Sequence, residues 1–160
     1  MAAWENDPEI RHLFIPFLDE STVGELTSPE EVAQRAAPGV SSKRRGFQSM
    51  ILLDGSAVGE INLVVDPAHV FSKIPNTGWA GIVIGEARAR GRGIGRVAML
   101  ELERRARAMG VERIELGVFE HNVGALRFYE KLGYQRIAEA KEKFWWQGRR
   151  WDDLRLLKAL

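Results

Sequence analysis

Residues 78–110 constrain the fold more than any other stretch of this chain. GWAGIVIG at 78–85 places Ile82, Val83 and Ile84 in succession, too apolar for a strand with one wet face, and predicts a central strand. It leads through Arg88-Ala89-Arg90-Gly91-Arg92-Gly93-Ile94-Gly95-Arg96 into a helix in which Ile94, Ala98, Leu102 and Ala106 recur every four residues. Charges fill the other helix face, and Gly110 supplies the C-terminal cap. Arg113–Phe119 is the next strand. A strand–helix–strand unit of this kind makes a right-handed parallel crossover, so the sheet contains a parallel pair.

The flanking segments add helices before this unit and antiparallel hairpins on both sides of it. Asp7 and Pro8 read as an N-cap and first helical position, for a helix carrying Ile10, Leu13 and Phe14 and stopping near Pro16. Ser28-Pro29-Glu30-Glu31 is a capping box opening a helix that ends at Pro38-Gly39. A charged loop, Ser41-Ser42-Lys43-Arg44-Arg45-Gly46, follows. Phe47–Leu53 and Val58–Val65 form a hairpin around Asp54-Gly55. After Phe119, Asn122 caps a short helix ended by Gly133, and Tyr134–Trp146 and Arg150–Leu157 form a hairpin around Gln147-Gly148. The expected class is α/β (α+β): a mixed, mostly antiparallel central sheet of about six strands flanked by about four helices. At 160 residues the chain is expected to be one domain, 1–160.

Composition removes several functions. Lys plus Arg is 23 and Asp plus Glu is 22, a net charge of +1, which argues against a broad nucleic-acid surface. There is no cysteine, hence no disulfide, catalytic thiol or thiolate metal site. His12, His69 and His121 lie far apart without an HExxH pair, so no metal is expected. MAAWENDPEI lacks a basic stretch followed by an apolar run, and no apolar run of about 18 residues occurs. The expectation is a soluble, cytoplasmic chain without a membrane partner.

The turn at 88–96 carries the chemistry. Its glycines let several backbone N–H groups converge at the positive end of a helix dipole, and Arg88, Arg90, Arg92 and Arg96 surround that point. The arrangement suits a pyrophosphate. Arg96 stands where a Walker loop needs Lys and where a dinucleotide fingerprint needs its third glycine, which disfavours both of those nucleotide-binding readings.

Arg90, Gly93 and Gly95 satisfy the pattern [Q/R]xxGx[G/A], and Asn122-Val123-Gly124-Ala125-Leu126-Arg127-Phe128-Tyr129-Glu130-Lys131-Leu132-Gly133-Tyr134 matches N-x-x-A-x-x-x-Y-E-x-x-G-[FY]. Together they resemble the GNAT superfamily of N-acetyltransferases, over about residues 47–160. KFWWQGRRWDDLRLL and W-x-N-D-P-E-I are most similar to the branch of ribosomal-protein N-terminal acetyltransferases (RimJ and RimL types) and spermidine acetyltransferases. The resemblance implies a GNAT fold with splayed strands at an acetyl-CoA site. Family members normally begin with a β-strand before the first helix, whereas here only Met1–Glu5 precede that helix, so the first β-strand is expected to be either absent or trimmed. It implies acetyl-CoA as cosubstrate, held by Ile82, Val83, Ile84, Arg90, Gly91, Arg92, Gly93, Ile94, Gly95, Arg96 and Asn122, with no metal. Asn122 has two uses open to it, capping its helix and bonding the coenzyme arm.

The implied reaction is direct attack of a primary amine on the thioester in a ternary complex. Tyr129 is the expected general acid. An oxyanion donor is expected on the strand around Ile82–Ile84, with a bulge there that splays it from Arg113–Phe119. Members of the RimI type often carry a glutamate twelve residues before the tyrosine, where this chain has Gly117. Glu86 is the best replacement as base, and Glu60, Asn62, Glu120, His121 and ordered water are further options. The acceptor is a small molecule or a protein N-terminus. Asp19, Glu20 and Glu25 suit a cationic one, and Phe144, Trp145, Trp146 and Trp151 supply aromatic surface for core, substrate wall or a homodimer contact. A non-catalytic acyl-CoA-binding or regulatory module on the same fold is the alternative.

Overall fold

Two tight turns set the hairpins. Asp54 and Gly55 have φ of 51° and 79°, and Gln147 and Gly148 have 49° and 77°, the paired positive angles of a two-residue turn whose twist matches its strands. The computed structural model describes residues 2–14, 26–36 and 45–160. Three helices, α1 (Ala2–Glu5), α2 (Arg11–Phe14) and α3 (Pro29–Ala36), precede the hairpin β1 (Gly46–Leu53) and β2 (Ser56–Val65). Then come β3 (Thr77–Ile84), α4 (Ile94–Ala108), β4 (Arg113–Phe119), α5 (Val123–Lys131), β5 (Gln135–Trp146) and β6 (Arg149–Ala159). The six strands form one sheet in the order β1-β2-β3-β4-β6-β5. Among the described residues only β3 and β4 pair in parallel.

The mixed sheet and its strands follow the sequence expectation closely, with five α-helices among the described residues where about four were expected. The difference lies at the start. Ala2–Glu5 is helical, and the helix read from Pro8 begins at Arg11, although Asp7 Oδ1 still caps by accepting from Glu9 N at 2.9 Å. The Ser28 capping box is present, Glu31 N donating to Ser28 Oγ at 3.1 Å and Ser28 N to Glu31 Oε2 at 2.7 Å. The expected ends at Pro16 and Pro38-Gly39, the Asp19, Glu20 and Glu25 loop and Ser41–Arg44 lie outside the described residues. Among the described residues no helix is long and apolar enough to cross a membrane, and no group of three ligating side chains could hold a metal.

Strand alternation sorts the sheet into two faces. Ile114, Leu116 and Val118 of β4 and Leu156 of β6 pack with Met99, Leu102 and Ala106 of α4 and Tyr129 of α5. On this helix face Glu103, 2% exposed, accepts from Tyr134 Oη at 3.2 Å and from Lys158 Nζ at 2.8 Å. The other face carries Glu115, Arg155 and Asp153. Glu115 is fully buried and accepts from Phe71 N at 2.7 Å and Ser72 N at 2.9 Å, which ties the 66–76 connection over this side.

The N-terminal segment docks through rings. His12 of α2 stacks on Trp146 with centroids 4.1 Å apart and stands 5.5 Å from His121, which meets Trp151 edge-on at 4.7 Å. Among the described residues His12 Nδ1 and both ring nitrogens of His121 are buried without a hydrogen-bond partner. Burial, then the neighbouring His121, lowers the His12 pKa to about 4. Burial, then Arg149, lowers that of His121. The unfolded chain therefore takes up these protons first. Stability is complete above the unfolded histidine pKa near 6.5 and is lost as pH falls from there towards 4. Melting temperature should drop over that window, and His12→Phe, which keeps the stack, should flatten the dependence. A drop of equal size in His12→Phe would assign the sensitivity elsewhere.

Candidate active site

A backbone gap creates the site. β3 and β4 pair only at Thr77–Arg113, Gly78–Ile114 and Trp79–Glu115. Beyond these the strands part, while β3 keeps an unbroken register with β2 and β4 keeps its register with β6. The expected splay is present, and the bulge expected at Ile82–Ile84 is not. The only register shift in the β1–β2–β3 region lies between β1 and β2, where Ile51 faces Gly59 and Leu52 faces Ala57. The divergence needs no extra residue in β3.

Asp66 N donates to Thr77 O at 2.8 Å across β2 and β3. Antiparallel alternation then turns the backbone groups of Ile82 and Ile84 to the opposite edge, into the gap. The Ile84 carbonyl there is taken by Arg90 Nε at 3.0 Å, and the Gly85 carbonyl by Arg90 Nη2 at 2.7 Å. Arg90 thus fastens the turn to the end of β3. The N–H groups of Ile82 and Ile84 remain directed at the gap.

The glycine turn closes the other end. Gly91 and Gly93 have φ of 71° and 79°, and a Cβ at either would meet nothing within 4 Å. Backbone conformation alone therefore demands glycine at both. Gly93 is the N-cap of α4 and no side chain caps the helix, so the first-turn N–H groups are available to an anion. Gly95 lies against the Phe128 ring, its Cβ position 3.6 Å from Cζ, which brings α5 up to α4. Arg88, Arg92 and Arg96 are exposed around the turn.

A cavity of about 810 Å³ joins these parts. Its wall includes Ile82, Val83, Ile84, Arg90, Gly91, Gly93, Ile94, Gly95, Arg96, Asn122 and Tyr129 from the sequence expectation. Sequence reasoning missed Ile10 and Leu13 from α2 and Gly117, Val118 and Phe119 from β4. Gly117, interrupting an apolar strand, was the available signal. Arg92 lies outside this wall. Open glycine backbone, an uncapped helix start, nearby cations and a long apolar gap fit a phosphate-bearing acyl thioester.

Asn122 caps α5, its Oδ1 accepting from Ala125 N at 3.1 Å, while also bordering the cavity. Tyr129 is 8% exposed, and burial raises its hydroxyl above the ordinary phenol range. Its hydroxyl makes no hydrogen bond among the described residues. Glu86 is turned elsewhere. Its Oε1 accepts from Trp4 Nε1 at 2.8 Å and its Oε2 lies 4.0 Å from Arg88 Nε, and it does not line the cavity. Glu60 accepts from Gln48 Nε2 at 3.0 Å and shares its face with Asn62, as alternation required. Glu120 is exposed. Phe144 and Trp151 join Phe119 and His121 in ring contacts beside the cavity.

Comparison with known proteins agrees with this geometry. The chain is 34% identical to the uncharacterized N-acetyltransferase YdgE of Bacillus subtilis over 97 residues, 60% of this chain and 59% of that protein, less than two thirds of the relative's length. Its fold superposes with a TM-score of 0.76 on the ribosomal-protein-alanine N-acetyltransferase of Brucella melitensis, at 21% identity over 99% of this chain and 91% of that one. It superposes at 0.75 on the spermidine N-acetyltransferase of Vibrio cholerae, a complex with CoA and spermine, at 16% identity over 99% and 86%. Residues 8–134 match the sequence profile of the acetyltransferase (GNAT) family. With that match across most of its length, the chain belongs to the acetyltransferase (GNAT) family.

Proposed function

We propose that residues 1–160 act as one acetyltransferase domain that moves an acetyl group from acetyl-CoA to a primary amine by direct attack in a ternary complex. The observation that carries this reading is the cavity in which the parted strands, the glycine turn and Tyr129 meet. The α4 N-terminus and the turn glycines hold the pyrophosphate, with Arg88, Arg92 and Arg96 adding positive charge. Arg90 acts differently, fixing the turn through Ile84 and Gly85. The N–H groups of Ile82 and Ile84 face the thioester oxygen, where preorganised donors stabilise developing negative charge. Tyr129 gives its proton to the leaving sulfur. Burial suits it to this, because it keeps the phenol protonated.

The amine is the RimJ, RimL or spermidine-acetyltransferase kind of acceptor, a protein N-terminus or a polyamine. The sequence signatures support this choice, as does the presence of both kinds among the fold's neighbours. A second reading, an acyl-CoA-binding module without turnover, draws on the burial of Tyr129 at 8% exposure. Thiol release from acetyl-CoA with spermidine, an alanine-terminated peptide and glucosamine separates the two. Release with any of them supports the enzyme, and none at saturating acetyl-CoA favours the module.

Acetyl-CoA at one hundred times its Kd should add about 2.7 kcal/mol and raise the melting temperature by several degrees, with ATP and NAD inert. Gly93→Asp should remove that shift, since it places a strained residue and a negative charge at the helix start. A folded Gly93→Asp variant with unchanged affinity would remove the phosphate assignment. Tyr129→Phe should leave coenzyme affinity nearly unchanged and lower kcat and kcat/KM together by about 10²–10⁴. On its alkaline side wild-type turnover should hold beyond the ordinary phenol range, because burial keeps the phenol protonated. A Phe variant as fast as wild type would make Tyr129 structural.

A further inference from the structure

Acetylation of an alkyl amine needs a group to take the ammonium proton, and among the described residues no carboxylate lines the cavity wall. The wall does include a residue without a side chain, Gly117, in the parted half of β4. Its side-chain space is already filled. A Cβ built there would stand 2.7 Å from Asp153 Oδ1 and 3.1 Å from Trp79 Cη2. Asp153 comes from β6, where it pairs with Phe119, another cavity residue. Two residues past the last β3–β4 pair on each strand stand Gly81 and Gly117, on the face away from α4. Over Gly81 lies the Asn62 amide, its Nδ2 3.0 Å from a built Cβ, as the Asp153 carboxylate lies over Gly117. Bare backbone on both sides of the gap thus lies beneath polar groups from β2 and β6.

Resting on the acetyltransferase reading, we propose that the Asp153 carboxylate, reaching the gap over Gly117, accepts the proton of the incoming ammonium. Acceptor amines then approach from the face opposite α4 and α5. Asp153 is built for one free oxygen. Its Oδ2 is held by Arg155 Nη2 at 2.8 Å, while Oδ1 is turned to Gly117 and accepts no hydrogen bond among the described residues. The charged groups around it are Arg155 on its own strand, Glu115 on β4 and Lys143 on β5. At 4% exposure, burial outweighs the pull of Arg155 and raises the carboxyl pKa. The adjacent Asp152 has the opposite environment. Lys141 Nζ at 2.7 Å and the Glu142 N–H at 2.9 Å hold it ionised and lower its pKa.

The proton balance closes. Of the three ammonium protons, one passes to Asp153 and thence to water. The amine lone pair forms the C–N bond as the C–S bond breaks with its electron pair on sulfur. Sulfur takes the Tyr129 proton, the tyrosine is restored by a second proton from nitrogen, and the third stays on the amide.

The test compares Asp153→Asn with wild type, using the best alkyl amine of the panel and aniline, which arrives neutral at pH 7. For the alkyl amine kcat/KM should fall about 10²–10⁴-fold and the acidic limb of its pH profile should vanish. With aniline the loss should stay below about tenfold, and acetyl-CoA affinity should hold within about twofold, which a merely structural role would not produce. Equal losses for both amines, or an unchanged acidic limb, overturns the assignment. So does a limb that survives Asp153→Asn and disappears in His121→Phe. Should Asp153→Asn fail to fold, the wild type decides across alkyl amines of different basicity: an acidic limb whose midpoint stays fixed as the amine pKa changes, and which aniline lacks, supports the proposal, and a limb that moves with the amine pKa or appears with aniline as well overturns it. Wild-type inactivity towards every amine would overturn the acetyltransferase reading itself, a result distinct from an active enzyme indifferent to Asp153.

Discussion

The parting of β3 and β4 after a three-residue parallel run is the constraint on which the rest of the structure depends. A sheet interior that loses its ladder leaves backbone donors and acceptors without partners, which burial would penalise by about 1–3 kcal/mol each. The fold limits that cost to one edge of each strand, because β2 and β6 complete the outer ladders without interruption there. The fork itself is pinned at its last paired residues. Glu115 binds two backbone N–H groups of the 66–76 connection, and the Arg155 guanidinium lies over the Trp79 and Phe71 rings, 4.5 Å and 4.9 Å from their centroids. A buried carboxylate, a guanidinium and two rings therefore hold the gap from the face opposite the helices.

The glycine turn answers the same need from the far end. Strands that diverge would leave the β3 carbonyls bare, and Arg90 covers that of Ile84 together with the carbonyl of Gly85 just beyond the strand. This divides the four arginines of the turn by role. One is consumed in joining strand to turn, and three remain at the surface around a helix start that no side chain caps. Positive potential at that point arises from the helix and its neighbours together.

What the sequence made legible was whatever follows from a local rule. The Asp54-Gly55 and Gln147-Gly148 turns, the Ser28 capping box and the strand–turn–helix unit each depend on residues a few positions apart, and each is present. The residues read for the coenzyme site largely share one cavity for the same reason. What was not legible depends on register across strands. Glu86 sits at a strand end that periodicity points towards a cleft, yet the Trp4 indole 82 positions away claims its carboxylate. Asp153 reads as one more charge in a polar hairpin, and only the pairing of β6 with β4 sets it over Gly117. The helical turn at Ala2–Glu5 has no cap signal and owes its place to that same indole, which fills the space beside Gly85.

The open surroundings of Gly91 and Gly93 have a stereochemical consequence. Both hold positive φ with nothing within 4 Å of a built side chain, a combination hostile to an L-residue by backbone geometry alone and hospitable to its mirror image. D-alanine introduced by chemical ligation at either position would settle into its preferred region without a clash. It would also narrow the unfolded ensemble, an effect worth about 0.4–1 kcal/mol for a compatible replacement of glycine. The chirality of two residues is what the backbone of this turn selects.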